Sequence, residues 1–190
     1  MRFFDAKFWF VILALFAFFA LFAEVFSLKQ KLDSNQNASV QVLYNHSSEA
    51  DNAVVAQIQN AKTYVYVAMY TFTRQNIVDA LVAAKLRGLD VRLILDFSQS
   101  ESNYEKPVIK KLQKYGITIE RPFTEKGKGV MHIKMLVTEK SYASGSYNWT
   151  SSATSLNDEV LEIGEVASVH EQYFKIFNEL FSKYSKFSKQ

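Results

Sequence analysis

Hydrophobic positions follow three different rhythms along the chain. Phe8 to Ala23 is an unbroken apolar run, FWFVILALFAFFALFA, with Arg2 and Lys7 before it and Val25-Phe26 beyond Glu24. Charges are missing around the whole helical circumference rather than from one face, so a buried soluble helix is a poor account. The run lies between the ~20 apolar residues of a full membrane span and the about 7–15 of a signal-peptide core. Dense Phe and Leu content, and the lack of a clean Ala-x-Ala site near Ser27, favour an uncleaved signal-anchor over residues 1–27. The N-terminus is then inside, and the domain faces the periplasmic side of an envelope membrane. Residues 28–39 are mostly polar, lack periodicity and read as a linker; a folded domain is expected over 40–190.

The second rhythm alternates strands with amphipathic helices. Val40 to Tyr44 alternates as a strand, and Ser48-x-x-Asp51 opens a helix carrying Val54, Ile58 and Ala61. Thr63 to Tyr70 is a β-branched and aromatic run, a buried strand. Asn76 to Arg87 is a helix on Ile77, Val78, Leu81 and Val82, closed by Gly88. Asp90 to Asp96 is a strand, Pro107 to Tyr115 a short helix with Gly116 after it, and Ile117 to Glu120 another strand. This alternation predicts an α/β fold: an α-β-α sandwich around a mixed, largely parallel sheet.

The third rhythm is a hairpin. Met131 to Thr138 and Tyr142 to Ser144 are strands joined by Glu139-Lys140-Ser141, and Glu159 to Val166 is a further strand. Ser168-x-x-Glu171 reads as a capping box opening a final helix with Tyr173, Phe174, Phe177, Leu180, Phe181 and Tyr184 on one face. That stripe is core packing.

Composition narrows the function. A formal charge of +3 excludes a histone-like binder and an acidic disordered tail. The zero Cys count removes disulfides, Cys-ligated zinc, a thiol nucleophile and a lipid-bearing cysteine, without fixing the compartment.

Candidate chemistry gathers between residues 131 and 159. Strand alternation puts His132 and Lys134 on one face with Ile133 in the core. Gly145 permits close backbone approach; Ser146 and Asn148 share one side and carry neutral donors. Glu159 is an acid among apolar strand residues. A histidine, a lysine, two donors and a carboxylate suit phosphate chemistry. The lysine offers charge to phosphoryl oxygens, and an imidazole can attack phosphorus. No cluster of Asp, Glu or His at ligand spacing is visible elsewhere, so the sequence gives little support to a metal mechanism.

His132-x-Lys134, four residues, an acid, then Gly145-Ser146-x-Asn148 resembles the HKD motif of the phospholipase D superfamily. The resemblance extends to its single-motif bacterial nucleases of the Nuc type. Tyr70-Thr71-Phe72-Thr73, the helix ALVAAKLRG (Ala80 to Gly88), Asp90-Val91-Arg92 and Glu159, eleven residues after Asn148, have counterparts there. Two departures stand out: Glu139 replaces the motif's Asp, and the stretch from Glu139 to Gly145 is one residue shorter.

The resemblance implies that His132 is the nucleophile, forming a phosphohistidine. Lys134 and Asn148 would bind phosphoryl oxygens, Ser146 would hydrogen-bond nearby and Glu159 would orient His132. Such sites use two motifs; this chain has one, so a homodimer with the site on its two-fold axis is implied. No metal or other cofactor is implied, and Glu139 is left outside the catalytic set.

A lone His-x-Lys means nothing; the whole group at family spacing is what carries weight. His46 and His170 read as structural. Lys106, Lys110, Lys111, Lys114, Lys126 and Lys128 crowd the region before the motif, as a solvated face or as a groove for a nucleic-acid backbone. Lys126 and Lys128 with Phe72 and Tyr147 are the substrate-binding candidates, the aromatics to stack bases or equally to fill the core; Trp149 is the most core-like of the aromatics. Three functions follow: a membrane-anchored nuclease preferring single-stranded nucleic acid, a lipid phosphodiesterase, and a silent nucleic-acid-binding dimer. The polar, lysine-rich stretch from Ser98 to Lys128 favours the first over the second. The intact His132, Lys134, Asn148 and Glu159 disfavour the third.

Overall fold

The computed structural model describes residues 6–36, 39–45, 48–122 and 129–187. In chain order the elements are α1 (Ala6–Gln36), β1 (Val40–Asn45), α2 (Glu49–Asn60), β2 (Tyr64–Met69), α3 (Gln75–Leu86), β3 (Asp90–Leu95), α4 (Phe97–Ser100), α5 (Lys106–Lys114), β4 (Thr118–Glu120), β5 (Lys134–Thr138), β6 (Tyr142–Gly145), α6 (Ser151–Ser155), β7 (Glu159–Gly164) and α7 (Ala167–Phe187). The chain divides into two compact units, Met1–Ala38 and Ser39–Gln190.

The first unit is α1. Its window Ile12–Lys29 has a mean hydropathy of 2.0, long and apolar enough to cross a bilayer; a secretory leader passes the same test. The stretch read as a linker is helical as far as Gln36. It contains no Gly or Pro up to that point, so nothing in it breaks a helix already begun.

In the second unit, β2 shows why the sheet is covered on both faces. Val65, Val67 and Met69 pack with α2 and α3 residues such as Val54, Ile58, Ile77 and Leu81. The alternate residues Tyr66 and Ala68 pack with Phe177 of α7, as do Ile94, Met135 and Val137 of neighbouring strands. Both parities are apolar, which is what a central strand between two helical layers requires. The seven strands lie in the order β1-β7-β6-β5-β2-β3-β4.

The mixed α-β-α sandwich is therefore as expected, but its parallel part is smaller than "largely parallel" implied. Among the named strands of the described residues, only β2–β3 and β3–β4 pair parallel, with one isolated parallel bridge from Phe72 to Trp149. The pairings β1–β7, β2–β5, β5–β6 and β6–β7 are antiparallel. The strand–helix alternation that signals parallel pairing ends at β4, and β1 crosses to the far edge to pair with β7. Two boundaries also shift. The strand expected from Met131 starts at Lys134, because the Met131 N–H donates to Asp96 Oδ2 (3.0 Å) instead of to a ladder. The final helix opens at Ala167, so Ser168 lies inside its first turn rather than capping it. Two short helices, α4 and α6, had no periodic signal.

Candidate active site

β2 and β3 end, and β5 begins, at the same edge of the sheet: Met69 is level with Lys134 and with Leu95. His132 is exposed there, two residues before Lys134 enters the sheet. The stem of Lys134 lies among Met69, Leu136, Tyr147, Trp149 and Leu161, and the residue is 7 % exposed. Its Nζ is 3.3 Å from His132 Nε2 and donates to His132 O at 3.0 Å. With the ammonium donating, Nε2 carries a lone pair and the ring proton sits on Nδ1. Burial pushes the Lys134 ammonium below its usual value, and the charge of Glu159 opposes that shift.

Tyr70 backs this pair. Its ring is 4.5 Å from the His132 ring, tilted by 60°, and Lys134 Nζ lies 5.1 Å from its centre. Gln99 Nε2 donates to the Tyr70 hydroxyl at 3.2 Å. Asp96 caps α4 by accepting from Gln99 N–H (3.0 Å), while its other oxygen holds Met131. One buried carboxylate thus fixes the support of Tyr70 and the backbone just before His132.

The Gly-Ser-x-Asn loop closes the other side. Gly145 pairs with Leu161, and Ser146 N–H donates to Val160 O at 3.0 Å. The Ser146 hydroxyl donates to Glu159 Oε2 in a short hydrogen bond, and Asn157 Nδ2 donates to Oε1 at 3.2 Å. Both Glu159 oxygens are thereby engaged. The hydrogen bond expected from His132 to Glu159 is not made among the described residues, and Glu159 reaches the His–Lys pair through its field at Lys134. Asn148 Oδ1 is buried without a hydrogen-bond partner among the described residues. Such an orphan is uncommon in a folded chain and is typical of a site whose partner is a ligand.

Two substrate-binding expectations are corrected. Phe72 is fully buried and packs edge-on against Trp149, with ring centres 5.0 Å apart. Tyr147 is 1 % exposed, and its hydroxyl donates to Asp51 Oδ1 (2.7 Å) and meets Thr154 Oγ1 (2.7 Å). Neither ring can stack on a base; both hold the loop down. Asp51 also binds Arg74 and Asn76 Nδ2, so α2, α3 and the loop share one buried carboxylate. Lys126 and Lys128 lie outside the described residues, as does His46. Glu139 stands at the opposite end of β5, accepting from Lys62 N–H (3.0 Å) and Thr63 N–H (3.4 Å). Burial works against its ionisation, but these backbone donors win and hold the carboxyl below its usual range. His170 is structural, with Nε2 2.6 Å from Thr138 O.

Sequence reasoning missed Tyr70, Asp96 and Glu105. Asp96, a polar residue ending an apolar strand just before Phe97-Ser98, carries a readable cap signal; Glu105 carries none. Glu105 is 1 % exposed, accepts from Phe72 N–H at 2.8 Å, and leaves its second oxygen buried without a partner. Burial pushes its carboxyl up to about 7, the Phe72 hydrogen bond opposes this, and nearby Asp96 adds to it. A raised pKa means that the native state keeps a proton the unfolded chain loses, so stability falls as pH rises from about 4.5 to about 7. Glu105→Gln mimics the protonated form. Thermal unfolding of the variant is expected to match wild type at pH 5 and to occur at a higher temperature at pH 8; equal midpoints at pH 8 would contradict this assignment.

Residues 54–181 match the family described as "Cardiolipin synthase, PLD-like domain". The chain belongs to the PLD-like family. Among curated relatives of this PLD-like chain is a Phospholipase D of Rickettsia conorii, 29% identical over 123 residues. The match covers 64% of this chain and 59% of that protein, so this chain spans less than two thirds of the relative's length. Among solved structures, Nuc from Salmonella typhimurium, a phospholipase D family member, superposes with a TM-score of 0.71 and 26% identity, covering 77% of this chain and 95% of that one. NucT from Helicobacter pylori gives a TM-score of 0.71 at 23% identity, covering 77% and 97%, a likeness of fold.

Proposed function

We propose that this PLD-like domain is a metal-independent phosphodiesterase that cleaves nucleic acid, preferentially single-stranded DNA, through a phosphohistidine on His132. The observation that carries this reading is an exposed imidazole whose Nε2 is 3.3 Å from a desolvated lysine ammonium, beside an unpartnered buried Asn148 amide oxygen. Nε2 attacks phosphorus, and the bond from phosphorus to the leaving oxygen breaks. Lys134 turns from His132 to a phosphoryl oxygen, where its charge counts most because burial has stripped it of water. Asn148, its amide turned so that Nδ2 donates, takes a second oxygen.

The leaving oxygen needs a proton, and the chain has no second exposed imidazole at this edge among the described residues. The same residue of a second copy supplies it, which makes the working unit a homodimer with the site on its axis. That imidazole then takes a proton from water, the water attacks phosphorus, and His132 departs unchanged. The α1 segment anchors the enzyme in an envelope membrane with the domain facing the periplasm.

A lipid phosphodiester is the second reading, favoured by the name of the Rickettsia relative and by the apolar α1. The test uses the full chain in detergent micelles with excess EDTA, offered single-stranded DNA, duplex DNA, RNA and phospholipid vesicles. Single-stranded DNA is expected to be cut fastest, because unstacked strands fit a narrow groove that a stiff duplex does not. Vesicle hydrolysis without DNA cleavage would transfer the assignment to lipid; no turnover without added Mg²⁺ would remove the phosphohistidine route.

A further inference from the structure

Resting on that reading, we propose that the concavity between α5 and the end of β4 is a second phosphate subsite. It holds a backbone phosphodiester of the same nucleic acid, a few nucleotides from the bond being cut. The concavity has a volume of about 400 Å³ and is lined by Glu101, Lys106, Lys110, Gln113 and Arg121, among others. Nothing in the HKD chemistry uses it.

Its position follows from the sheet register. Lys134 is level with Met69, Met69 with Leu95, and Ile94 with Glu120. Arg121 follows Glu120 directly, so it stands at the same edge as His132, three strands away across β5-β2-β3-β4. Three inter-strand steps make about 14 Å. A phospholipid presents one phosphodiester, or in cardiolipin two that are joined through a single glycerol and stand too close together to span this distance. A polynucleotide presents one per nucleotide and can.

Its chemistry is that of an anion site already organised around an anion. Glu101 Oε1 accepts from Arg121 Nη1 at 2.9 Å, and Oε2 lies 3.3 Å from Lys106 Nζ. The carboxylate thus bridges two cations from separate elements as a phosphate would. Lys110 makes no ion pair among the described residues. Three cations against one carboxylate leave the concavity with an excess of two positive charges. The neighbouring Lys111 is different: it binds Asp79 on α3 at 2.5 Å and contributes nothing here. The helix bearing these lysines is seated by buried Val108, Ile109 and Leu112, so the cations stand on a fixed frame.

The test compares kcat/KM of the full chain in detergent for a single-stranded 20-mer and for bis(p-nitrophenyl) phosphate, whose single phosphodiester cannot reach the concavity. Lys110→Ala and Arg121→Ala are each expected to lower kcat/KM on the 20-mer roughly three- to ten-fold, through KM, and to flatten its salt dependence. Glu101→Gln removes the internal anion and is expected to act in the opposite direction, lowering KM. Lys110 has no ion-pair or hydrogen-bond partner to lose among the described residues, so its variant separates binding from folding. The small substrate is expected to be unaffected by all three. Equal losses on both substrates, or none on the 20-mer, would overturn the subsite while leaving the nuclease reading intact. Hydrolysis of the small substrate with no cleavage of any oligonucleotide would overturn the nuclease reading itself. In that case, reduced binding of the Lys110 variant to anionic vesicles would reassign the concavity to a lipid surface.

Discussion

His132→Ala is expected to abolish phosphodiester cleavage and leave the fold intact. In a two-fold symmetric site the substitution removes both the nucleophile and the acid, so the rate should drop at least about a thousand-fold. The structure says why folding should survive. His132 is exposed, so no cavity opens when its ring is deleted. Lys134 keeps its hydrogen bond to the residue-132 carbonyl, which alanine also provides. What is lost is the ring contact with Tyr70, itself still held by Gln99, and the 3.3 Å contact of Lys134 Nζ with Nε2; the ammonium keeps the carbonyl and faces the opened site. The check is turnover on single-stranded DNA next to a thermal unfolding curve. A variant that melts like wild type and does not cut confirms the role. A variant that cuts at the wild-type rate removes His132 from the chemistry.

The second large effect is expected from a single methyl group. A Cβ at Gly145 would lie 2.0 Å from Val160 O and 2.9 Å from Val160 C, both backbone atoms that cannot swing aside. That carbonyl is also the acceptor of the Ser146 N–H. Gly145→Ala therefore forces β6 and β7 apart where the Ser146–Glu159 and Asn148 positions are set. Overpacking of this kind costs about 1–3 kcal/mol where side chains can yield, and more where only backbone is met. Thermal unfolding should show a large drop in midpoint, and the residual folded protein should cut poorly. Wild-type stability and activity would mean that β6 and β7 do not run this closely together.

Much of this site is written in local sequence, and the reasons are physical. Strand alternation placed His132 and Lys134 on one side, and Nζ and Nε2 do meet. The close approach at Gly145 is legible because only glycine lacks the atom that would clash. The strongly amphipathic helix α5, with Val108, Ile109 and Leu112 on its buried side, and the glycine after it in the left-handed region (Gly116, φ +74°) were equally readable. What escaped depends on partners distant in sequence. Local sequence leaves Tyr147 equally a stacking or a core residue; its burial is set by Asp51, ninety-six residues earlier. Glu159 was paired with His132, but Asn157, two residues away, and Ser146 take its oxygens first. Beyond the β5–β6 hairpin, the antiparallel pairings were hidden for the same reason, since β1 pairs with β7 across nearly the whole domain. Among the lysines only contacts could separate Lys111, spent on Asp79, from Lys110, which is free among the described residues.

The central claim is that His132 becomes covalently bonded to phosphorus. The most direct measurement compares the stability of protein-bound label in alkali and in acid: the full chain in detergent and EDTA is mixed with single-stranded DNA carrying ³²P at internal phosphodiesters, then quenched in alkali within the first turnover. Phosphohistidine survives alkali and is lost in acid, so the account predicts protein-bound label that persists at high pH, disappears at low pH and is absent from His132→Ala. Rapid cleavage with no label on the wild-type protein at any quench time, or equal label on the variant, would contradict it.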